Sequence, residues 1–465
     1  MPERAWDAIA LPGVDTVWLM GVWERSPAGR AIALADPGVR EAVAAALPDA
    51  TDADVVGSPY CIRDYTADAR LGGPAGLAVA RAALARRGHR LLLDFVPNHV
   101  APDHPWAAGH PEYFVRGTRA DLASDPRAWL ETAGGIYARG RDPSFPPWPD
   151  VVQLDPMSAP LRDAVVETLG EIAGQCDGVR CDMAMLLLDD VAESTWRGRL
   201  EPVRERPYWG EVTSRVRETH PGFTFLAEAY GDYDGALFGQ GIEACYDKRL
   251  YDRLRDGDAP SVRAHLVADP RRQARLVRFL ENHDEPRAAA VFARARLRAA
   301  AVALVTLPGE VLLHDGQLEG LRTKLPVQLG RRPFEQHDPD TRAFWSDLLA
   351  AVARERLREG DWRLLEVTGW PDNQSCSSLL AWCWAQHLVI VNYSGEAADG
   401  LVQLGAEWAG QSWGLQDVLR GESYRRDGDE LAGRGLYVAL PTYGAHVFRL
   451  LPSAVSATST PERVP

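Results

Sequence analysis

The chain has no surplus of positive charge, no long hydrophobic run and few cysteines, and each shortage removes a class of function. Against 65 Asp and Glu stand 51 Lys and Arg, a formal net charge of −14, which repels phosphate backbones and anionic lipid over most of the surface. Nucleic-acid and membrane-surface partners are therefore not expected. No apolar stretch reaches the roughly 20 residues that a bilayer-spanning helix needs. The opening MPERAWDAIALPG also lacks a basic segment followed by an apolar one, so a cytoplasmic location is expected. Six cysteines (Cys61, Cys176, Cys181, Cys245, Cys376, Cys383) occur without CxxC spacing. Neither a disulfide framework nor a zinc cluster is indicated, and all six are expected as buried thiols.

What is present is the composition of an ordinary globular chain: 465 residues, 46% hydrophobic and 25% charged, which excludes disorder, collagen and coiled coil. Short apolar runs alternate with amphipathic stretches, the pattern of βα units around a parallel sheet. Strands are expected at Asp15–Met20, Arg90–Val96, Gly178–Met183, Phe223–Ala229, Ala244–Asp247, Leu276–Glu281 and Val302–Leu307. Helices are expected from Pro74 and from Ser158, the second capped by Ser158 and carrying Leu161, Val165, Leu169 and Ile172 on one face. Residues 101–155 hold eight Pro and three Trp, far beyond an ordinary βα loop, and read as a small inserted domain. Residues 1–100 and 156–360 would then form the α/β barrel. Short alternating runs over 365–452 read as a C-terminal antiparallel β-sandwich, and 453–465 as a disordered tail.

The chemistry-bearing residues stand where apolar strands stop. Asp94, Asn98 and His99 close one strand; Arg180 and Asp182, two apart, share a strand face; Glu228 closes another; Asn282, His283, Asp284 and Arg287 follow a fourth. Taken singly, a carboxylate after a strand is commonly a helix cap or turn former, and a histidine after Asn a structural one. Four such clusters in order point instead to one catalytic mouth at the carboxyl ends of barrel strands.

The segments DFVPNH, GVRCDM, LAEA and ENHD, in this order, resemble the four sequence regions of the α-amylase family of retaining glycoside hydrolases and transglycosylases. GVDTVWLMG, GSPYCIRDY and LPGEVLLHDGQLEG extend the resemblance over roughly residues 5 to 450. It implies a TIM-type (β/α)8 barrel with Asp182 as nucleophile, Glu228 as general acid/base and Asp284 as the carboxylate that holds sugar hydroxyls. Arg180, His99, His283 and the ring of Tyr60 are implied as substrate-binding groups. A retaining enzyme needs one carboxylate ionised and one protonated, about 5 Å apart. Arg180 is expected to keep Asp182 ionised, and neighbouring carboxylates to keep Glu228 protonated.

Two departures narrow the substrate. Where starch-degrading members often place Lys-His, three and four residues after the nucleophile, this chain has Met185 and Leu186. An acceptor-side sugar contact and a usual calcium-ligand position are thereby lost, leaving Asn98; no cofactor or metal is expected, and the implied substrate is an oligosaccharide or small α-glucoside. Alternatives stay open: a catalytically silent sugar-binding member of the family, or a metal-dependent TIM-barrel hydrolase, against which no His-x-His pair ends the first strand. Arg331, Arg332 and Glu335 in the segment from Leu321 to Asp340, and Arg141, Asp142 and Trp148 in the insertion, are expected to border the pocket. Finally, the resemblance implies a strand before the first helix, whereas the segment PERAWDAIALPG has Trp6, Ile9 and Ala10 at helical spacing and VDTVWLM is the first convincing strand. Seven parallel strands are predicted, with a gap beside Val17 and Leu19, either because the natural start lies upstream or because another segment fills the gap.

Overall fold

The structure, a computed structural model, describes residues 3–453. They divide into two compact units, one running to Tyr246 and including Thr323–Glu335, the other Asp247–Arg322 with the residues from Gln336 onward.

The parallel sheet has seven strands: β1 (Thr16–Trp18), β2 (Arg90–Phe95), β3 (Gly178–Cys181), β4 (Thr224–Ala227), β5 (Ala244–Tyr246), β6 (Leu276–Arg278) and β7 (Glu310–Val311). Their order in the sheet is their order in the chain, as right-handed βα crossovers produce. In the first unit β1–β2, β2–β3, β3–β4 and β4–β5 pair in parallel, and in the second β6–β7 does. The helices that follow the strands carry the expected signals. Ala159–Ala173 starts where Ser158 accepts from the Leu161 amide, and it buries Leu161, Val165, Leu169 and Ile172. Gly73–Ala85 buries Leu77 and Leu84 against the core of the first unit.

The seven-strand expectation holds in number but not in every member. Val302–Leu307 is not a strand: it ends a helix, Arg294–Thr306. An unbroken apolar run carries no period to separate helix from buried strand, and its alanines favour the helix once the segment is long enough to make three turns. The seventh strand is the two-residue β7, entered through Gly309 at φ 93°, where an added Cβ would lie 2.3 Å from the Leu276 carbonyl oxygen. At the other edge β1 pairs only with β2 in this sheet, and among the described residues before it stand a helix, Glu3–Ile9, and a turn.

The inserted segment is closed at its neck by antiparallel pairing of His99–Val100 with Val152–Gln153. Within it a hairpin joins Trp129–Thr132 to Gly135–Ala138. The C-terminal residues form a six-stranded and a three-stranded antiparallel sheet, whose facing side chains, among them Leu379, Ala381 and Ile390 from one and Val402, Val438 and Leu440 from the other, share a core. Leu436–Leu440 and Ala445–Ser453 do not form a hairpin but pair in different sheets. Ser453, expected in the disordered tail, ends a strand, and the rest of that tail lies outside the described residues. All six cysteines are free; Cys376 is only partly buried, contrary to expectation, and the other five are buried.

Candidate active site

Strand register brings the first three polar clusters together in the first unit. Asp94 on β2 is level with Arg180 on β3, and Cys181 is level with both Phe95 and Ala227. Asp182 and Glu228 follow one residue later. The ladder continues through them, since the Asp182 amide donates to the Phe95 carbonyl (2.8 Å) and the Glu228 amide to that of Cys181 (3.0 Å). All four polar side chains are buried, with Asp182 5% and Glu228 3% exposed. Burying three acids together requires a compensating charge.

Arg180 supplies it. Its Nη1 donates to Asp182 Oδ1 (2.5 Å) and lies 4.0 Å from Asp94 Oδ1, while its Nη2 lies 2.8 Å from Glu228 Oε2. The rings of Trp18, Tyr60 and Tyr246 surround the guanidinium, 5.3, 5.2 and 5.7 Å from its carbon. Burial opposes the charge, but Glu228, Tyr60, Tyr246 and Asp182 together outweigh it and hold the Arg180 pKa well above its ordinary value. Asp94 is fixed in turn by Trp18 Nε1 (3.2 Å) and by the Gly21 amide (2.7 Å). Gly21 sits at φ 69° with Pro59 so close that a Cβ would meet it at 2.7 Å, so the donor reaches Asp94 only with glycine there.

The surroundings of Glu228 differ from expectation. Besides Arg180, its Oε1 accepts from the Tyr230 hydroxyl (2.6 Å) and its Oε2 from the Met183 amide (2.8 Å). Donors, not neighbouring carboxylates, make its contacts. Met183 reaches it from a left-handed conformation, φ 45° and ψ 41°, a strained state of the kind that concentrates at functional sites. Trp18, Tyr230, Tyr246 and the Met183 amide were not singled out from the sequence. Tyr230 and Tyr246 follow apolar strand residues much as Glu228 does, and only that position signals them.

His99 is buried, its ring 5.1 Å from Trp148 of the insertion. Burial, partly offset by a hydrogen bond with the Tyr60 backbone, pushes its pKa down to about 3, so it is a neutral donor or acceptor at any working pH. Asn98, implied as the surviving member of a calcium site, is instead committed to Gln153 across the neck. Asn98 Nδ2 donates to Gln153 Oε1 (3.2 Å) and Gln153 Nε2 to Asn98 Oδ1 (2.9 Å). With Asn98 Oδ1 and Gln153 Oε1 each engaged by the other's amide, the pair does not fit a calcium ion, which takes six to eight oxygens with several carboxylates.

His283 and Asp284 belong to the second unit, where His283 Nε2 lies 3.0 Å from Asp284 Oδ2 and the Asp284 amide donates to Asn282 Oδ1 (2.9 Å). The loop expectations divide. Trp148 reaches His99. Asp142 Oδ1 caps the turn at the Ser144 amide (2.7 Å), Arg331 is held by Asp49 and Asp54 (3.2 and 2.8 Å), and Glu335 accepts from the Thr323 amide (3.1 Å). Arg332 is exposed. Arg141 stands over Trp196 in a separate cleft.

No family model matches the chain. Alpha-amylase MalA of Haloarcula japonica is 28% identical over 296 residues, 60% of this chain and 38% of that protein. Alpha-amylase 3 of Dictyoglomus thermophilum is 21% identical over 281 residues, 55% and 53% of the two. The chain thus spans 38% and 53% of the length of these curated relatives. In fold it is similar to the maltogenic α-amylase AmyB of Thermotoga neapolitana, with a TM-score of 0.70, 18% identity, and 97% of this chain and 93% of that one covered. The chain resembles the α-amylase family of glycoside hydrolases in sequence and in fold.

Proposed function

We propose that the protein is a retaining α-glycosidase or transglycosylase that acts on short α-glucosides. The observation that carries this reading is one arginine between two carboxylates on register-adjacent strands, Asp182–Arg180–Glu228. Both carboxylates contact the same guanidinium, through Nη1 at 2.5 Å and Nη2 at 2.8 Å, which favours the close spacing, roughly 5 Å, of double displacement over the wider gap that an inverting enzyme keeps for water. Asp182, held by Arg180, attacks the anomeric carbon while Glu228 gives a proton to the departing oxygen. A β-glycosyl ester forms on Asp182; water or a second sugar then attacks as Glu228 takes the proton back. Asp284 and His283 hold sugar hydroxyls, His99 adds a neutral hydrogen bond, and the Tyr60 ring lies under the sugar.

The preference for short substrates rests on Met185 and Leu186, both buried and aliphatic, which offer no hydrogen bond to a long acceptor. A cytoplasmic, reducing setting is favoured by six free thiols. Likeness to the two α-amylases supports the class of reaction. The test is product analysis on maltose, sucrose, trehalose and an aryl α-glucoside, with and without chelator, following the anomer in time. Chelator-resistant release of α-configured product is expected. An initial β product overturns the mechanism, chelator-sensitive turnover points to the metal hydrolase, and sugar binding without turnover to a silent binding protein.

A further inference from the structure

A second cleft, of about 320 Å³, lies where the insertion meets the helix Asp189–Trp196. It is lined by Asp125, Trp129, Arg141, Trp196, Arg197 and Arg199, with Ala128 and Thr195, and by none of the carboxylates of the candidate active site. Three arginines against one aspartate is the reverse of the charge balance of the whole chain, −14. Among the described residues neither Arg141 nor Arg197 forms an ion pair with a carboxylate, and Asp125, whose Oδ1 accepts from the amides of Arg127 and Ala128 (3.1 and 3.2 Å), is the one acid of the lining.

The arginines are held ready. The Arg141 guanidinium lies 4.6 Å from the Trp196 ring centre, and Arg199 lies 5.1 Å from that of Trp129. A guanidinium stacked on an indole is fixed in plane while its N–H edge stays free to bind an oxyanion. Arg141 Nη2 donates to the Thr195 carbonyl (2.5 Å), and its buried Nε has no hydrogen-bond partner. Burial lowers the Arg141 pKa, and the charge of Asp125 offsets this only in part. Arg199 differs: its Nη1 and Nη2 both donate to Asp121 (3.0 and 2.7 Å), so its charge is already balanced and the excess positive charge of the cleft rests on Arg141 and Arg197. The volume suits a small molecule and not a protein segment.

We propose that this cleft binds a phosphate-bearing small molecule, with Arg141 and Arg197 on the phosphate and Arg199, paired with Asp121, at the rim. It does not rest on the glycosidase reading. Phosphate satisfies several N–H edges at once and balances the excess charge. Its source is either free phosphate or a phosphorylated sugar whose ring would lie along the indoles.

Calorimetry on the intact chain at low salt, with inorganic phosphate, glucose 6-phosphate and glucose, tests this. Binding of both phosphates but not of glucose is expected, weakened by rising salt and about tenfold by Arg141→Gln, the loss of one charge-assisted pair. The exposed Arg197→Gln, which removes no internal contact of consequence, should weaken it in the same direction, and Arg119→Gln, whose exposed pair with Glu131 lies outside the cleft, should leave it unchanged. Tighter binding of glucose 6-phosphate identifies the phosphorylated sugar; equal binding identifies free phosphate. Absence of binding by both at 10 mM or about that level, equal binding of glucose, or phosphate binding untouched by both cleft variants overturns the proposal.

Discussion

Met183 donates its backbone N–H to Glu228 Oε2 at 2.8 Å while standing at φ 45°. The residue after Asp182 therefore positions Glu228, and the strain of the left-handed turn is part of that coupling. Glycine adopts this conformation freely, whereas a β-branched residue is penalised by about 1–2 kcal/mol. Met183→Gly should keep most of kcat on a good substrate, and Met183→Val should lower kcat with little change in KM and lower the melting temperature. Equal rates for the two variants would remove the coupling.

For the acids themselves, Asp182→Asn should reduce turnover by at least about 10³-fold, with no trapped intermediate. Glu228→Gln should lose most activity on sugar leaving groups and recover part of it on an activated aryl glucoside, which needs no proton. Steady-state rates on both substrate types read this directly.

Arg180 compensates buried acids on two strands. Replacing it with Leu leaves their charges buried without a partner, at a cost of about 3–5 kcal/mol. Denaturant unfolding should show that loss. An Arg180→Leu protein as stable as the parent would mean that the acids find other partners.

Acid stability should report on the histidines. Burial lowers the pKa of His104 to about 4 and that of His99 to about 3, against about 6.5 unfolded. The unfolded chain then takes up protons first as pH falls. Their stabilisation is complete above about pH 6.5 and is lost progressively toward pH 4 and then 3. His104 Nδ1 also caps the Trp106 amide (3.0 Å), a role that Asn can fill. His104→Asn should therefore lose about 1–2 kcal/mol less than the parent between pH 7 and pH 5, measured by unfolding at the two values.

The insertion's neck is predicted to hold without calcium. Gln153→Leu removes the donor to the buried Asn98 Oδ1 and should cost about 1–3 kcal/mol. Chelator should leave the melting temperature of the parent unchanged, whereas a fall abolished by Gln153→Leu would place an ion at this neck.

The amino-acid sequence by itself determined the polar clusters at the ends of strands and the helices with clear caps. These depend on local periods: residues two apart on a strand share a face, as Arg180 and Asp182 do, and Ser158 opens a helix with a regular apolar stripe. Contacts between distant segments were not legible. That Arg180 reaches Glu228 as well as Asp182, that Tyr230 and Met183 hold Glu228, and that Asn98 pairs with Gln153 depends on strand register and side-chain packing, which local pattern does not encode. The same is true of the cleft that brings Trp129 beside Trp196. Val302–Leu307 marks the boundary within secondary structure itself: an apolar run without alternation is compatible with helix and strand alike, and burial in the folded chain selected the helix.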